Sequence, residues 1–393
     1  MITFNVTMLY IYKFISQCLP IYAFYTILFI QRGQSITNIA TLLALWSAFT
    51  IIFEIPSGVL SDRWNRRNMI VLSAILQGIC FVIWFFSHTF FMFAIGFVFW
   101  SMAIAFSSGT EEGLIYDNLK SDGCEESFSR IYGKSQFYAN VGTIFGIISA
   151  GILVNFISID TIALISAIVC FANVIFAVQI REKNFYSEQL NQKHISFLQT
   201  LKDASSFVKD SKNILIYILF LMFIVGLGNY LDEFDALIIN DFQLNEIWVS
   251  VILSVRFIFV ALGDIFASRL QKNICSTKQI FLLNGVACTF LLMFAMIWNQ
   301  YAIFIFGFSF MIMTITEILL VNALQNEIKE EGRATVMSFY SAGQNIVMIC
   351  LSLVYAQLAG IFSLQQVYII ISCYGVIGGV LFYLLFKSME THN

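Results

Sequence analysis

The sequence predicts an all-α membrane protein: twelve transmembrane helices arranged as two pseudo-symmetric six-helix bundles. Three observations carry that prediction. Of the 393 residues 59% are hydrophobic and 11% charged, against about 25% charged in soluble domains. Apolar runs of spanning length recur along the whole chain, and a span needs about 20 such residues. Lysine and arginine then alternate between the connections, as they do when cytoplasmic loops keep basic residues and translocated loops do not.

In order, the runs lie near residues 8–30, 37–60, 69–87, 91–117, 132–156 and 159–180, then 213–239, 246–268, 279–298, 300–324, 334–358 and 366–386. The first is too long for a signal-peptide core, has no basic segment before it and no small-residue cleavage site, so it is read as a span. The expected organisation is a bundle over 1–180, a cytoplasmic linker over 181–212 and a second bundle over 213–393. The linker, REKNFYSEQLNQKHISFLQTLKDASSFVKDSK, is the longest hydrophilic stretch, and part of it suits an amphipathic helix on the membrane surface. Thr110 and Glu111 in the fourth span match Thr316 and Glu317 in the tenth. Each pair precedes a basic loop, a correspondence expected of the internal duplication common in transporters.

Arg63, Arg66, Arg67, Lys120, Arg130, the basic residues of 181–212, Arg269, Lys278, Arg333 and Lys387 fall on one side, and Arg32 alone on the other. Both termini are therefore expected in the cytoplasm and the chain in the inner (cytoplasmic) membrane. The net charge of −3 does not suggest a nucleic-acid partner. The eight cysteines lie in apolar runs or in loops read as cytoplasmic, so no disulfide framework is expected. No C-x-x-C or H-E-x-x-H spacing and no G-x-x-x-x-G-K loop appears, which disfavours a metal site, ATP-driven pumping and enzymatic activity, and leaves no cofactor expected.

The loop after the second span reads Gly58, Val59, Leu60, Ser61, Asp62, Arg63, Trp64, Asn65, Arg66, Arg67. This G-x-x-x-D-R-x-x-R-R pattern resembles the signature of the major facilitator superfamily at its usual place, and the resemblance extends to the six-plus-six layout. It implies two bundles that rock about a mid-membrane site, with this loop latching the outward-facing state. Gly58, Asp62, Arg63, Arg66, Arg67, Asp117 and Arg333 are the latch residues so implied, with Arg66 paired to Asp117 and Arg333 in a stretch that opens the eleventh helix. Glycine permits close helix approach, and arginine pairs with carboxylates across the bundle. The second-half counterpart, Gly263 and Asp264 with Arg269, lacks the D-R pair. Gly142, Gly146 and Gly151 resemble the glycine-rich motif of family drug exporters, although Ile147 stands in place of its proline; tight packing explains the glycines equally well.

Ionisable groups in the hydrocarbon region cost at least a few kcal/mol each and are functional candidates by default. Lys13, Glu54, Glu111 and Glu112 are expected at similar depths in the first half. Asp232, Glu233 and Asp235 cluster in the seventh span, Arg256 lies mid-span in the eighth as their candidate neutraliser, and Glu317 lies in the tenth. An acid whose surroundings alternate can load and release a proton. The stretches EIPSGVLSDRWNRR and SSGTEEGLIYDNL resemble bacterial carriers that export drugs and toxic compounds, including those giving a producer self-immunity to a peptide-nucleotide antibiotic. The resulting expectation is proton-coupled efflux of a small molecule or modified peptide, with protons and the lipid bilayer as partners. A proton symporter importing a nutrient is the alternative within the fold, and a transport-dead sensor is one outside that class.

Overall fold

A computed structural model describes residues 5–108, 110–182, 212–270, 277–327 and 333–390, and among them it is helical throughout. The helices are α1 (Val6–Gln17), α2 (Tyr25–Gln31), α3 (Ile36–Arg63), α4 (Arg66–Phe86), α5 (Phe90–Ser107), α6 (Thr110–Ser121), α7 (Phe128–Leu153), α8 (Ile159–Gln179), α9 (Lys212–Asp232), α10 (Asp235–Asp241), α11 (Glu246–Leu270), α12 (Thr277–Ile297), α13 (Ile303–Glu327), α14 (Arg333–Ala359) and α15 (Leu364–Glu390). Among the described residues twelve segments are long and apolar enough to cross a bilayer. The expected linker is described only at Arg181, Glu182 and Lys212; the rest of it lies outside the described residues.

By their contacts the helices form two compact units, Met1–His194 with Asn245–Val251 and Ile195–Leu244 with Ile252–Asn393. The same neighbour pairs recur in each. Spans three and six pack together (α4 on α8), as do nine and twelve (α12 on α15); three meets four and nine meets ten; one meets five and seven meets eleven. Side-chain hydroxyls tie these pairs: Ser73 donates to the Ala103 carbonyl at 2.7 Å, and Ser309 to the Ala287 carbonyl at 2.8 Å. In lipid, where no hydrophobic gradient drives helices together, such bonds and close backbone approach take on that role.

Close approach is sharpest between α7 and the first span. A Cβ at Gly142 would press into the Phe14 carbonyl, and one at Gly146 would stand 2.8 Å from the Leu19 nitrogen. These are two of the three glycines that resemble the exporter motif, and in the structure they serve helix contact.

Three spans expected to be continuous are interrupted. The first stops at Gln17, turns through a 3-10 segment at Pro20–Ala23 and resumes as α2, because proline lacks the N–H that would continue the helix. The freed amide of Ile21 donates to the Ser166 hydroxyl at 3.0 Å, as a backbone group shielded from water requires. The fourth span breaks after Ser107 and restarts at Thr110. The seventh breaks at Glu233 and Phe234 within a run of acids. In the second half, the tenth span stays unbroken as α13, so the Thr110/Thr316 correspondence is one of sequence rather than backbone.

Gly142→Leu is expected to destabilise the protein by about 1 to 3 kcal/mol through overpacking. Gly133→Leu on the same helix, where a Cβ meets nothing within 4 Å, is expected to leave the detergent melting temperature unchanged.

Candidate functional site

In the first unit the break in the fourth span places Glu111 and Glu112 in the first turn of α6, where a carboxylate is favoured by the helix dipole. Lys13 of α1, 8% exposed, reaches across so that its Nζ lies 2.5 Å from Glu111 Oε2. The Tyr12 hydroxyl donates to the other Glu111 oxygen at 3.5 Å. Glu112 turns outward and accepts from the Tyr132 hydroxyl of α7 at 2.5 Å. The two adjacent acids thus divide, one to a buried cation and one to a phenol. Buried Asn173 of α8 donates its amide to the Tyr12 carbonyl at 3.2 Å, fixing the α1 turn that carries Lys13. Glu54 is half-buried on α3.

The second unit builds a related arrangement at the break in the seventh span. Asp232 ends α9 and Asp235 opens α10, so the turn between them brings both acids to Arg256 of α11. Arg256 Nη2 hydrogen-bonds Asp232, and its Nε lies 2.5 Å from Asp235 Oδ2. Arg256 is 3% exposed and Asp235 1%. Its guanidinium also lies over the Phe310 and Phe257 rings, 4.7 and 4.2 Å from their centres, a geometry that favours the cation. Asp235 accepts no hydrogen bond among the described residues, so the arginine charge is its main support. Glu233 sits half-buried on the turn. Glu317 of α13 is half-buried within electrostatic reach of Asp264 of α11.

Of the expected latch, Arg66 and Asp117 form an ion pair with Nη1 3.1 Å from Oδ2. The surroundings of Gly58 and the side chains of Asp62, Arg63 and Arg333 lie outside the described residues. Two participants carried no legible signal. Gly113, one turn before Asp117, leaves the space that the Arg66 guanidinium fills. Glu182 accepts from the backbone amides of Arg66 and Arg67 at 2.8 and 3.1 Å, capping α4 from the far end of the first half; Asn65, at the N-cap position, supplies no such bond. A carboxylate there meets both orphan amides and the dipole.

The aromatic residues of the first and seventh spans pack against neighbouring rings. Phe24, Tyr230 and Phe234 are fully buried, with Tyr230 and Phe234 against Tyr355. Tyr25 stacks on Trp84 and Tyr22 on Trp100. Among the described residues no three His, Cys, Asp or Glu side chains gather as a metal site.

Twelve apolar spans with charge pairs enclosed among them describe a membrane carrier rather than an enzyme. The family model of the Major Facilitator Superfamily matches residues 6–327; the chain belongs to that superfamily and is a transporter of its type. An uncharacterized transporter of Buchnera aphidicola is 24% identical over 317 residues, covering 77% of this chain and 76% of its own. The MFS-type transporter YfkF of Bacillus subtilis is 33% identical over 64 residues, 16% of this chain and 15% of that one. Among solved structures, the nucleoside transporter NupG superposes with a TM-score of 0.80 at 16% identity, over 98% of this chain and 99% of that one. A D-xylose-proton symporter superposes with a TM-score of 0.73 at 11% identity, over 96% and 95%. At those identities the likeness is one of fold.

Arg256→Met is expected to destabilise the protein by about 3 to 5 kcal/mol by stranding Asp235, and Arg256→Met/Asp235→Asn to recover much of that loss in thermal unfolding. The Arg66–Asp117 pair is partly exposed, so a double-mutant cycle with Arg66→Gln and Asp117→Asn is expected to show about 0.2 to 1 kcal/mol of coupling. In a Gly113→Ala background that coupling is expected to vanish while the fold survives, because the atom displaced is the mobile end of an arginine.

Proposed function

We propose that the protein is a proton-coupled secondary active transporter that exports a toxic compound by alternating access, with a modified-peptide antibiotic such as microcin C as its candidate substrate. The observation that carries the coupling is the set of buried cation–carboxylate contacts, Lys13 with Glu111 and Arg256 with Asp232 and Asp235. In a low-dielectric setting a carboxylate and the cation facing it neutralise one another. When a conformational change separates the two in a low-dielectric setting, the acid takes up a proton, and it returns that proton when the pair re-forms. Two such sets, one in each compact unit, give each unit its own reason to prefer one protonation state.

Export as the direction rests on the sequence around Glu54 to Arg67 and Ser107 to Leu119, which is similar to drug and toxic-compound carriers. The expected orientation places the basic loops and both termini in the cytoplasm, so outward substrate movement runs against inward proton movement. Import of a small nutrient with protons is the second reading. The fold it shares with proteins named as a nucleoside transporter and a D-xylose-proton symporter supports it.

Cells expressing the chain are expected to survive microcin C, or another member of a toxic-compound panel, better than control cells. Glu111→Gln and Asp62→Asn variants at matched expression are expected to lose most of that protection. No protection from any compound, together with faster accumulation of a labelled nutrient, replaces export with import.

A further inference from the structure

The last span of each half sends one side chain to the backbone of the first. In the first unit α8 packs on α1, and Asn173, 1% exposed, donates its amide to the Tyr12 carbonyl at 3.2 Å. In the second unit α15 packs on α9, and the fully buried Tyr368 hydroxyl donates to the Leu231 carbonyl at 3.3 Å. Spans six and twelve hold matching places in the six-plus-six order, as do spans one and seven. The two carbonyls match as well. Each belongs to the residue immediately before a charged one, Lys13 after Tyr12 and Asp232 after Leu231.

The ion partners do not match: Lys13 reaches Glu111 on the fourth span, whereas Asp232 reaches Arg256 on the eighth. What the two units share is the tie beside the charge. A buried polar group carries a cost that an apolar one of its size avoids, and the Asn173 amide oxygen has no partner among the described residues. Its bond to Tyr12 therefore sets position more than it adds stability. A carbonyl has a second lone pair to offer, and Leu231 accepts from the Phe234 amide at 3.1 Å as well as from Tyr368. A bond taken there from another span fixes that turn along its axis and about it. The distances make such fixing matter. A slip of one residue's rise, about 1.5 Å, carries the Lys13 Nζ contact from 2.5 Å to about 4 Å, beyond hydrogen-bond reach.

We propose that Asn173 and Tyr368 are positioning residues, each holding the turn that carries the charged residue of its unit so that this charge meets its partner on another span. Their effect on transport rests on the coupling of transport to protons; their effect on the ion pairs does not.

Equilibrium unfolding of the full-length protein in mixed micelles tests this through the coupling between Lys13→Met and Glu111→Gln, measured with and without Asn173→Leu. That coupling, read as a ratio of unfolding constants, is expected to fall about 10-fold in the Asn173→Leu background, within the range of close pairs. A bond that only glues two helices lowers stability and leaves the ratio alone, so an unchanged ratio overturns the proposal. Tyr368→Phe, which removes a single oxygen, is expected to do the same to the coupling between Asp232→Asn and Arg256→Met, with Asp235→Asn present throughout so that no stranded acid contributes. It decides alone should Asn173→Leu unfold. A loss of Lys13–Glu111 coupling in Tyr368→Phe also overturns the proposal, because the effect would then be general loosening. In expressing cells the two variants are expected to shift the pH of half-maximal protection from microcin C by about one unit, the equivalent of a tenfold change. Fallen couplings with an unmoved pH profile, or with no protection at all, support the positioning role and remove proton-coupled export.

Discussion

Everything in this molecule follows from enclosure away from water. A backbone amide or a charge inside hydrocarbon has no solvent to fall back on, so each must find its partner within the protein. The cost of failing is several kcal/mol per group, comparable with the whole stability of a domain. The helix breaks show how that demand is met. At Pro20 the chain gives up its helical bonding, and Ser166 on another span accepts from the freed Ile21 amide. At the end of α9 the Tyr368 hydroxyl donates to the Leu231 carbonyl at 3.3 Å. Both of these interruptions are matched by a side chain brought in from a neighbouring helix.

The charges obey the same demand and use the same places. Glu111 and Asp235 each sit in the first turn of a helix that restarts after a break, and each reaches a base on another helix of its own unit. The helix dipole favours the acid and the base neutralises it. A neutral pair can be enclosed where a lone ion cannot, yet its two members ride on different helices. Such an arrangement is stable only while those helices keep their register, which is why it suits a protein that must change shape to work. The packing glycines complement it: Gly142 and Gly146 let backbones touch without a layer of side chains between them.

Much of this was legible in the sequence. Span positions follow from runs of apolar residues, since helices in lipid need little beyond composition and length, and every expected run has a spanning helix over it. The acids and bases in those runs were conspicuous because so few charges occur there. Their partners were harder to see. Lys13 finds Glu111 at a separation of 98 residues, and nothing in linear order states which of several acids at similar depth it will choose. The breaks in the fourth and seventh spans fall at short polar stretches, Ser107 to Glu112 and Asp232 to Asp235, which the apolar runs on either side outweigh when a span is read as a whole. Gly113 and Glu182 were missed for a related reason: one matters for the atoms it lacks, the other for amides more than a hundred residues away.

The Lys13 and Arg256 pairs also differ in how long each cation must wait during synthesis. Arg256 emerges 24 residues after Asp232, about 1 to 5 s at ordinary elongation rates of about 5 to 20 residues per second. Its span can therefore enter the bilayer beside an acid already in place. Lys13 emerges 98 residues before Glu111, roughly 5 to 20 s ahead at the same rates, and during that interval the first span carries an unneutralised ammonium. An intramembrane lysine costs about 2.5 to 3.5 kcal/mol at a helix centre. The first span thus gains its full hold only when the fourth arrives. Assembly of the first half is in this sense a ratchet, with the fourth span as the step that locks the first.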